Sequence, residues 1–308
     1  MRWRASARVD RRPQPPDRPD RRSVVATSSA PGSQLRHPAE LPFYVFMVVL
    51  NLIIIWLIIQ AAVTVPFLPE RLQDSGWVDA VRSAFIGLLL LVPAIVVIRE
   101  TQRASTRGSA VELSTAQYGD LYRTMDDFAR QLNLPRRPNL YLANGNGTLN
   151  AFAAQATGHD YVVLSNELFV NLYRENQDGL RFILGHELGH IKLHHVSLWY
   201  QLSVAYSERI PILGPTLSRL REYSCDRHGA HLCPTGATGL VLLASGRYTE
   251  QTTDVDQLVR QGRQLRGFWV ELAQLTRSHP FTVRRLERLF RLGLLQSRVR
   301  EAEHGTPV

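Results

Sequence analysis

Lysine is nearly absent from this chain: Lys192 stands alone among 36 basic residues, and arginine supplies the rest. Against 27 acidic residues this leaves a formal net charge of +9. A basic balance invites a nucleic-acid partner, but no RNA- or DNA-binding motif accompanies the arginines, so none is expected. The skew is what a GC-rich bacterial genome produces. Cysteine is equally scarce. Cys225 and Cys233 are eight residues apart in a segment predicted as helix, which separates them by about 12 Å, beyond disulfide reach. A disulfide scaffold is therefore excluded, and nothing argues for an oxidising compartment. The chain contains no internal repeat.

What is present is unevenly distributed. Residues 1–40 are rich in arginine, proline and serine and have few apolar residues, which predicts a disordered tail. Leu41 to Val65 then forms a 25-residue apolar run, longer than the roughly 20 residues that cross a bilayer as a helix. A secretory signal peptide fits poorly, because both the leader and the apolar run are too long and no small-residue cleavage site follows. A second apolar segment covers 80–98 and contains Pro93, tolerable in a membrane helix packed on a neighbour. Together these predict a transmembrane hairpin over 41–98 with a connector at 66–79. Nine arginines precede the first span, and Arg99, Arg103 and Arg107 follow the second; the connector holds only Arg71, with Arg82 near its edge. The positive-inside rule then expects a multi-pass plasma-membrane protein with both the N-terminus and the catalytic domain in the cytoplasm.

Beyond the spans, a domain over 105–300 is expected. Ser114 to about Asn133 reads as a helix ended by Pro135. Three short strands follow, at Asn139–Ala143, Ala151–Ala156 and Tyr161–Leu164, separated by Asn/Gly turns. From Asn166 onward the pattern is mainly helical, so the fold class is α+β with a small sheet. Residues 196–217 mix aromatic and apolar residues with charges and prolines. They predict a loop or short helix lying against the membrane or over the active site.

The chemistry lies in His186-Glu187-Leu188-Gly189-His190. Asp178 to His195 reads as a helix, with Asp178 a plausible N-cap and Leu180, Ile183, Leu184, Leu188 and Ile191 as its apolar stripe. Positions four apart share a helix face, so His186 and His190 can reach one metal ion. Glu187 is then placed to take a proton from a water on that ion. The bland alternative is two helix histidines without metal. A catalytic zinc site takes a third protein ligand. Glu222 and Asp226, spaced i, i+4 on a helix predicted over Leu217–Leu232, supply candidates. Such a pair is more often a solvated face, but the surrounding Leu217, Leu220, Tyr223 and Leu232 favour Glu222 as ligand, with Asp226 orienting a ligand histidine. His194 and His195, at the helix end, read as solvent-facing.

The apolar hairpin, HELGH, Arg221-Glu222-Tyr223-Ser224-Cys225-Asp226, and later Ser278-His279-Pro280 followed by Arg285 together resemble peptidase family M48. Its membrane members include HtpX-type proteases and the CAAX prenyl proteases. The resemblance covers most of residues 40–295. It implies a zincin-like metalloprotease domain holding one zinc ion per chain through His186, His190 and Glu222, with Glu187 as general base. It further implies that Asp226 and Arg285 support the ligands and that His279 binds the substrate carbonyl or the oxyanion. Asn150-Ala151-Phe152-Ala153 matches the family's strand before the active-site helix, an edge on which an extended peptide could pair. The chain lacks the second membrane hairpin that HtpX-type proteins commonly carry between His190 and Glu222, and it has Phe281 where a proline is frequent. The expected function is a membrane-anchored zinc endopeptidase acting on protein or peptide substrates, in quality control of misfolded proteins. The alternatives are a sensor-type peptidase with one regulatory partner, as in family M56, and a non-catalytic zinc-containing interaction protein.

Overall fold

The computed structural model describes residues 35–73, 75–246, 248–249 and 252–295. The tail expected over 1–40 lies outside the described residues as far as residue 34. Its last part, 35–40, does not behave as a tail. Leu35, His37 and Glu40 are buried, and the His37 N–H donates to Ser224 Oγ at 2.8 Å.

Helix α1 spans Glu40–Thr64 and continues as a 3-10 turn over Val65–Phe67. It is apolar all round, as a helix surrounded by hydrocarbon or protein must be. After the short α2 (Glu70–Gln73), α3 runs from Gly76 to Ser109, well past the second span expected at 80–98, with Pro93 accommodated inside it. Both apolar helices are long enough to cross a membrane, and they contact each other. The final turns of α3 run over the domain instead of ending at the apolar boundary. Arg99 is the reason: its Nε donates to the Gln155 carbonyl at 2.6 Å, and its other nitrogens reach Gln201 Oε1 and the Val196 carbonyl.

The domain opens with β1 (Val111–Glu112), a strand not anticipated from sequence, followed by α4 (Gly119–Gln131). The helix starts later than Ser114 because Ser114 pairs with Gln117 in an isolated bridge. Strands β2 (Asn139–Ala143), β3 (Ala151–Ala156) and β4 (His159–Ser165) complete a mixed sheet of order β1-β2-β4-β3. Only the β2–β4 pair is parallel, and β3 is left at an edge. Helices α5 (Asn166–Glu175) and α6 (Gln177–Lys192) follow. The N-cap of α6 is Asn176 and not Asp178: its side chain accepts the Gly179 N–H at 2.8 Å.

Helix α6 is buried along most of its length, including Phe182, Leu184 and Leu188, and forms the centre of the core. On one side it meets the sheet; on the other it packs extensively on α8 (Leu213–Leu232). Two glycines make that second contact close. A Cβ on Gly185 would meet Gly229 Cα at 3.1 Å, and one on Gly189 would meet His228 Cβ at 3.1 Å and Cys225 Cα at 3.2 Å.

Between α6 and α8, the ambiguous segment 196–217 folds as α7 (Leu198–Ser203) and a 3-10 turn at Ser207–Arg209. It packs on the first half of α1. Tyr200 stacks on Tyr44 at 4.4 Å, and the buried Asn51 accepts the Tyr206 N–H at 2.8 Å and donates to the Leu202 carbonyl. Helices α9 (Gly239–Ser245), α10 (Val255–Gln264), α11 (Phe268–Leu275) and α12 (Thr282–Arg291) close the domain. In α12, Leu286, Leu289 and Phe290 face the main core.

Candidate metal centre

Helical register does the first part of the assembly. His186 and His190 lie on one face of α6, their rings edge to face at 5.1 Å between centroids. The close α6–α8 crossing does the second. It brings Glu222 of α8 between them, with Oε2 3.5 Å from His186 Nε2 and Oε1 3.5 Å from His190 Nε2. One donor atom from each of the three residues lies within 4.8 Å of the others, and Glu222 and His186 are buried. Two imidazole nitrogens and a carboxylate oxygen converging in this way can hold a divalent cation of borderline softness, zinc above all.

The surrounding charges explain why a buried carboxylate is tolerated. Burial alone would raise the Glu222 pKa, but the proximity of His190 and His279, together with the Arg285 charge, holds it well below the ordinary range. Arg285 Nη1 stands 3.4 Å from Glu222 Oε2. The same guanidinium grips Asp226 with two prongs, Nε to Oδ2 at 2.9 Å and Nη2 to Oδ1 at 2.5 Å. Asp226 Oδ1 in turn lies 3.0 Å from His186 Nδ1. An ionised carboxylate only accepts, so Nδ1 carries the proton and His186 Nε2 is left with its lone pair toward Glu222. Burial works against the Asp226 charge as well, and Arg285 outweighs it.

His279 comes from the loop between α11 and α12. Its Nδ1 is 3.3 Å from Glu222 Oε2 although two-thirds of the side chain is exposed. The Glu222 hydrogen bond raises its pKa against the opposing effect of burial. Arg219, one helical turn before Glu222, holds that loop: its Nη1 donates to the carbonyls of Gln274 at 2.7 Å and Arg277 at 2.8 Å. Nothing in the residue pattern singled Arg219 out, because arginines are so common here.

A cavity of about 440 Å³ opens in front of these groups. Glu187, His186 and His190 line one wall, with His279 and Arg285 nearby. Asn150, Ala151, Phe152 and Ala153, at and just before the start of the edge strand β3, also line the cavity. The structure thus brings every sequence-predicted site residue to one cleft or directly behind it.

His195 departs from expectation. It is buried, not solvent-facing, and only His194 is exposed. The chain turns back at His194, which takes a left-handed conformation (φ 63°), and the His195 N–H donates to the His190 carbonyl at 2.9 Å. The ring then lies beneath His190, Nδ1 to Nδ1 at 3.1 Å. Burial pushes the His195 pKa down to about 3, outweighing the nearby Glu40 carboxylate. Cys225 Sγ is 3.7 Å from His195 Nδ1, so His190, His195 and Cys225 form a second group of ligand-type atoms within 4.8 Å. Periodicity failed here because the helix ends at Lys192, so the surface it predicts for His195 does not exist.

The sequence profile of peptidase family M48 matches residues 115–292, more than half of the chain. A protein described as a "Protease HtpX homolog" from Halobacterium salinarum is 29% identical over 155 residues, covering 48% of this chain and 50% of that protein. The chain therefore spans about half the length of the curated relative it matches. No solved structure matches.

Proposed function

The chain belongs to peptidase family M48, and on that footing we propose that it is a membrane-anchored zinc endopeptidase with His186, His190 and Glu222 as ligands of one zinc ion. One observation carries the reading: the two His Nε2 atoms and the Glu222 carboxylate converge beside Glu187 on an open cleft. The donor set fits the group, since two histidines and a glutamate are a known catalytic zinc combination. When bound, zinc supplies a Lewis acid that polarises the scissile carbonyl and brings the pKa of water to about 7.

The protein's own residues do the rest. Glu187 accepts the proton of the attacking water and returns it to the leaving nitrogen. His279, kept protonated to higher pH by Glu222, donates to the oxygen of the substrate carbonyl as negative charge develops there. Asp226, gripped by Arg285, fixes His186, and the Arg285 charge keeps Glu222 ionised. An extended substrate pairs along Asn150–Ala153 at the free edge of β3, which binds backbone and makes few demands on side chains. Low sequence demand suits removal of misfolded membrane or cytoplasmic proteins.

In this reading the domain that follows α3 is zincin-like, and α1 and α3 form a transmembrane hairpin. The arginine bias puts the domain on the cytoplasmic face of the plasma membrane. The test is casein cleavage by purified protein in detergent. Glu187→Gln is expected to retain zinc and lose cleavage by at least 10²-fold. Cleavage that survives a strong zinc chelator, or a Glu187→Gln form as active as the parent, refutes the proposal. Zinc bound at one equivalent without turnover on any unfolded substrate favours the non-catalytic alternative.

A further inference from the structure

The two histidines of the centre are supported differently. His186 has the Asp226 carboxylate directly on its Nδ1. His190 has another histidine there, and the support continues one residue further. His195 Nε2 lies 3.1 Å from Oε1 of Glu40, the first residue of the first apolar helix. Glu40 is buried, and Ser224 Oγ donates to its other oxygen. Arg36 Nε stands 3.3 Å from Oε1, and the Glu40 N–H is bonded to the His37 carbonyl at 2.9 Å.

Counting protons along this chain forces a direction. A carboxylate can only accept, so His195 Nε2 must carry hydrogen. Taken as a zinc ligand through Nε2, His190 carries its own hydrogen on Nδ1, and the 3.1 Å contact with His195 Nδ1 then makes His195 the acceptor there and the donor at Nε2. His190 is left with its lone pair on Nε2, the nitrogen that faces Glu222. The Glu40 carboxylate, 155 positions from His195 in sequence, is the acceptor at the outer end of this relay.

Glu40 does not line the cleft, and a buried ionised carboxylate is costly to keep unless its partners hold it. We propose that Glu40 is a positioning residue for the metal centre. Through His195 it fixes the tautomer and ring orientation of His190, so that the membrane anchor itself carries part of the zinc site's support. This rests on the reading of His190 as a zinc ligand. It also means that anchor and metal centre are one structural unit: the helix that enters the bilayer begins two hydrogen bonds from a ligand.

The competing use of the same atoms is a second metal ion between His190, His195 and Cys225. The experiment separates the two. Zinc affinity of the full-length protein in detergent is measured by competition with a chromophoric chelator, and the visible bands of the Co2+-substituted form report ligand geometry. Loss of such a supporting partner typically weakens metal binding 10–100-fold. Glu40→Ala and His195→Ala are expected to fall in that range, and the near-isosteric Glu40→Gln to fall about 10-fold, each with altered cobalt bands. Should an alanine variant not fold, Glu40→Gln decides. Asn51→Ala is the control: it loosens the packing of the same helix on residues 202–207 and is expected to leave zinc affinity unchanged. A destabilised Glu40→Gln protein that binds zinc like the parent overturns the proposal and reduces Glu40 to a packing role. Two zinc equivalents in the parent, falling to one in Cys225→Ala, overturn it in favour of a second centre. A parent that binds no zinc refutes the functional reading and this proposal with it.

Discussion

Replacing Arg285 with methionine keeps much of the side chain's volume and removes its charge. Arg285 is buried and faces two buried carboxylates, Asp226 at 2.5 and 2.9 Å and Glu222 at 3.4 Å. Removing one member of a buried ion pair leaves an uncompensated charge and costs about 3–5 kcal/mol. At roughly 2 °C per kcal/mol for a chain of this size, the unfolding midpoint should fall by about 6–10 °C. The measurement is thermal unfolding in detergent with metal chelated, followed by tryptophan emission, since Trp199 and Trp269 lie in the domain and outside the apolar helices. The pH dependence sharpens it. Arg285 depresses the folded pKa of Asp226, so in the parent this stabilisation is fully present above the ordinary carboxylate pKa of about 4 and is lost as pH falls through the lower folded value. The Arg285→Met penalty should therefore shrink in acid. Adding Asp226→Asn should recover part of the loss, giving a double-variant cost smaller than the sum by about 1–3 kcal/mol. A penalty under about 1 kcal/mol, or strict additivity of the two changes, refutes the account of Arg285 as the charge that makes this cluster tolerable.

Gly189→Ala should cost about 1–3 kcal/mol, because its Cβ presses on the backbone of α8 at Cys225, and zinc affinity should fall as the helices separate. An unchanged midpoint in the same thermal assay would show that the crossing has slack. His279→Ala should leave the midpoint within about 1 °C, as the side chain is largely exposed, while kcat on casein falls about 10²-fold or more. A loss of stability without a loss of kcat would make His279 a structural residue.

Much of the centre was readable from the chain itself, for a local reason. His186 and His190 share a face because any helix puts i and i+4 together, and Glu222 and Asp226 share one by the same rule. Strands at 139–143 and 151–156 announced themselves through turns and apolar residues, and α1 through sheer length. The misreadings fell where a short-range pattern ended. Asp178 yielded the cap to Asn176, α3 continued onto the sheet because Arg99 found carbonyls there, and His195 turned inward past the end of α6.

Periodicity says which residues share a face, but not which other face they meet. The HELGH motif and the two apolar helices were legible in the sequence through spacing and length, and the candidate third ligand through spacing and its apolar surroundings. Tertiary structure decided how close α6 and α8 come, which depends on glycines at 185, 189 and 229 lying against the facing helix. It also decided that Glu40, which in sequence merely precedes an apolar run, stands beneath His195. The Glu40–His195 contact joins residues 155 positions apart, and it forms only when packing of the whole core brings the elements that carry it together.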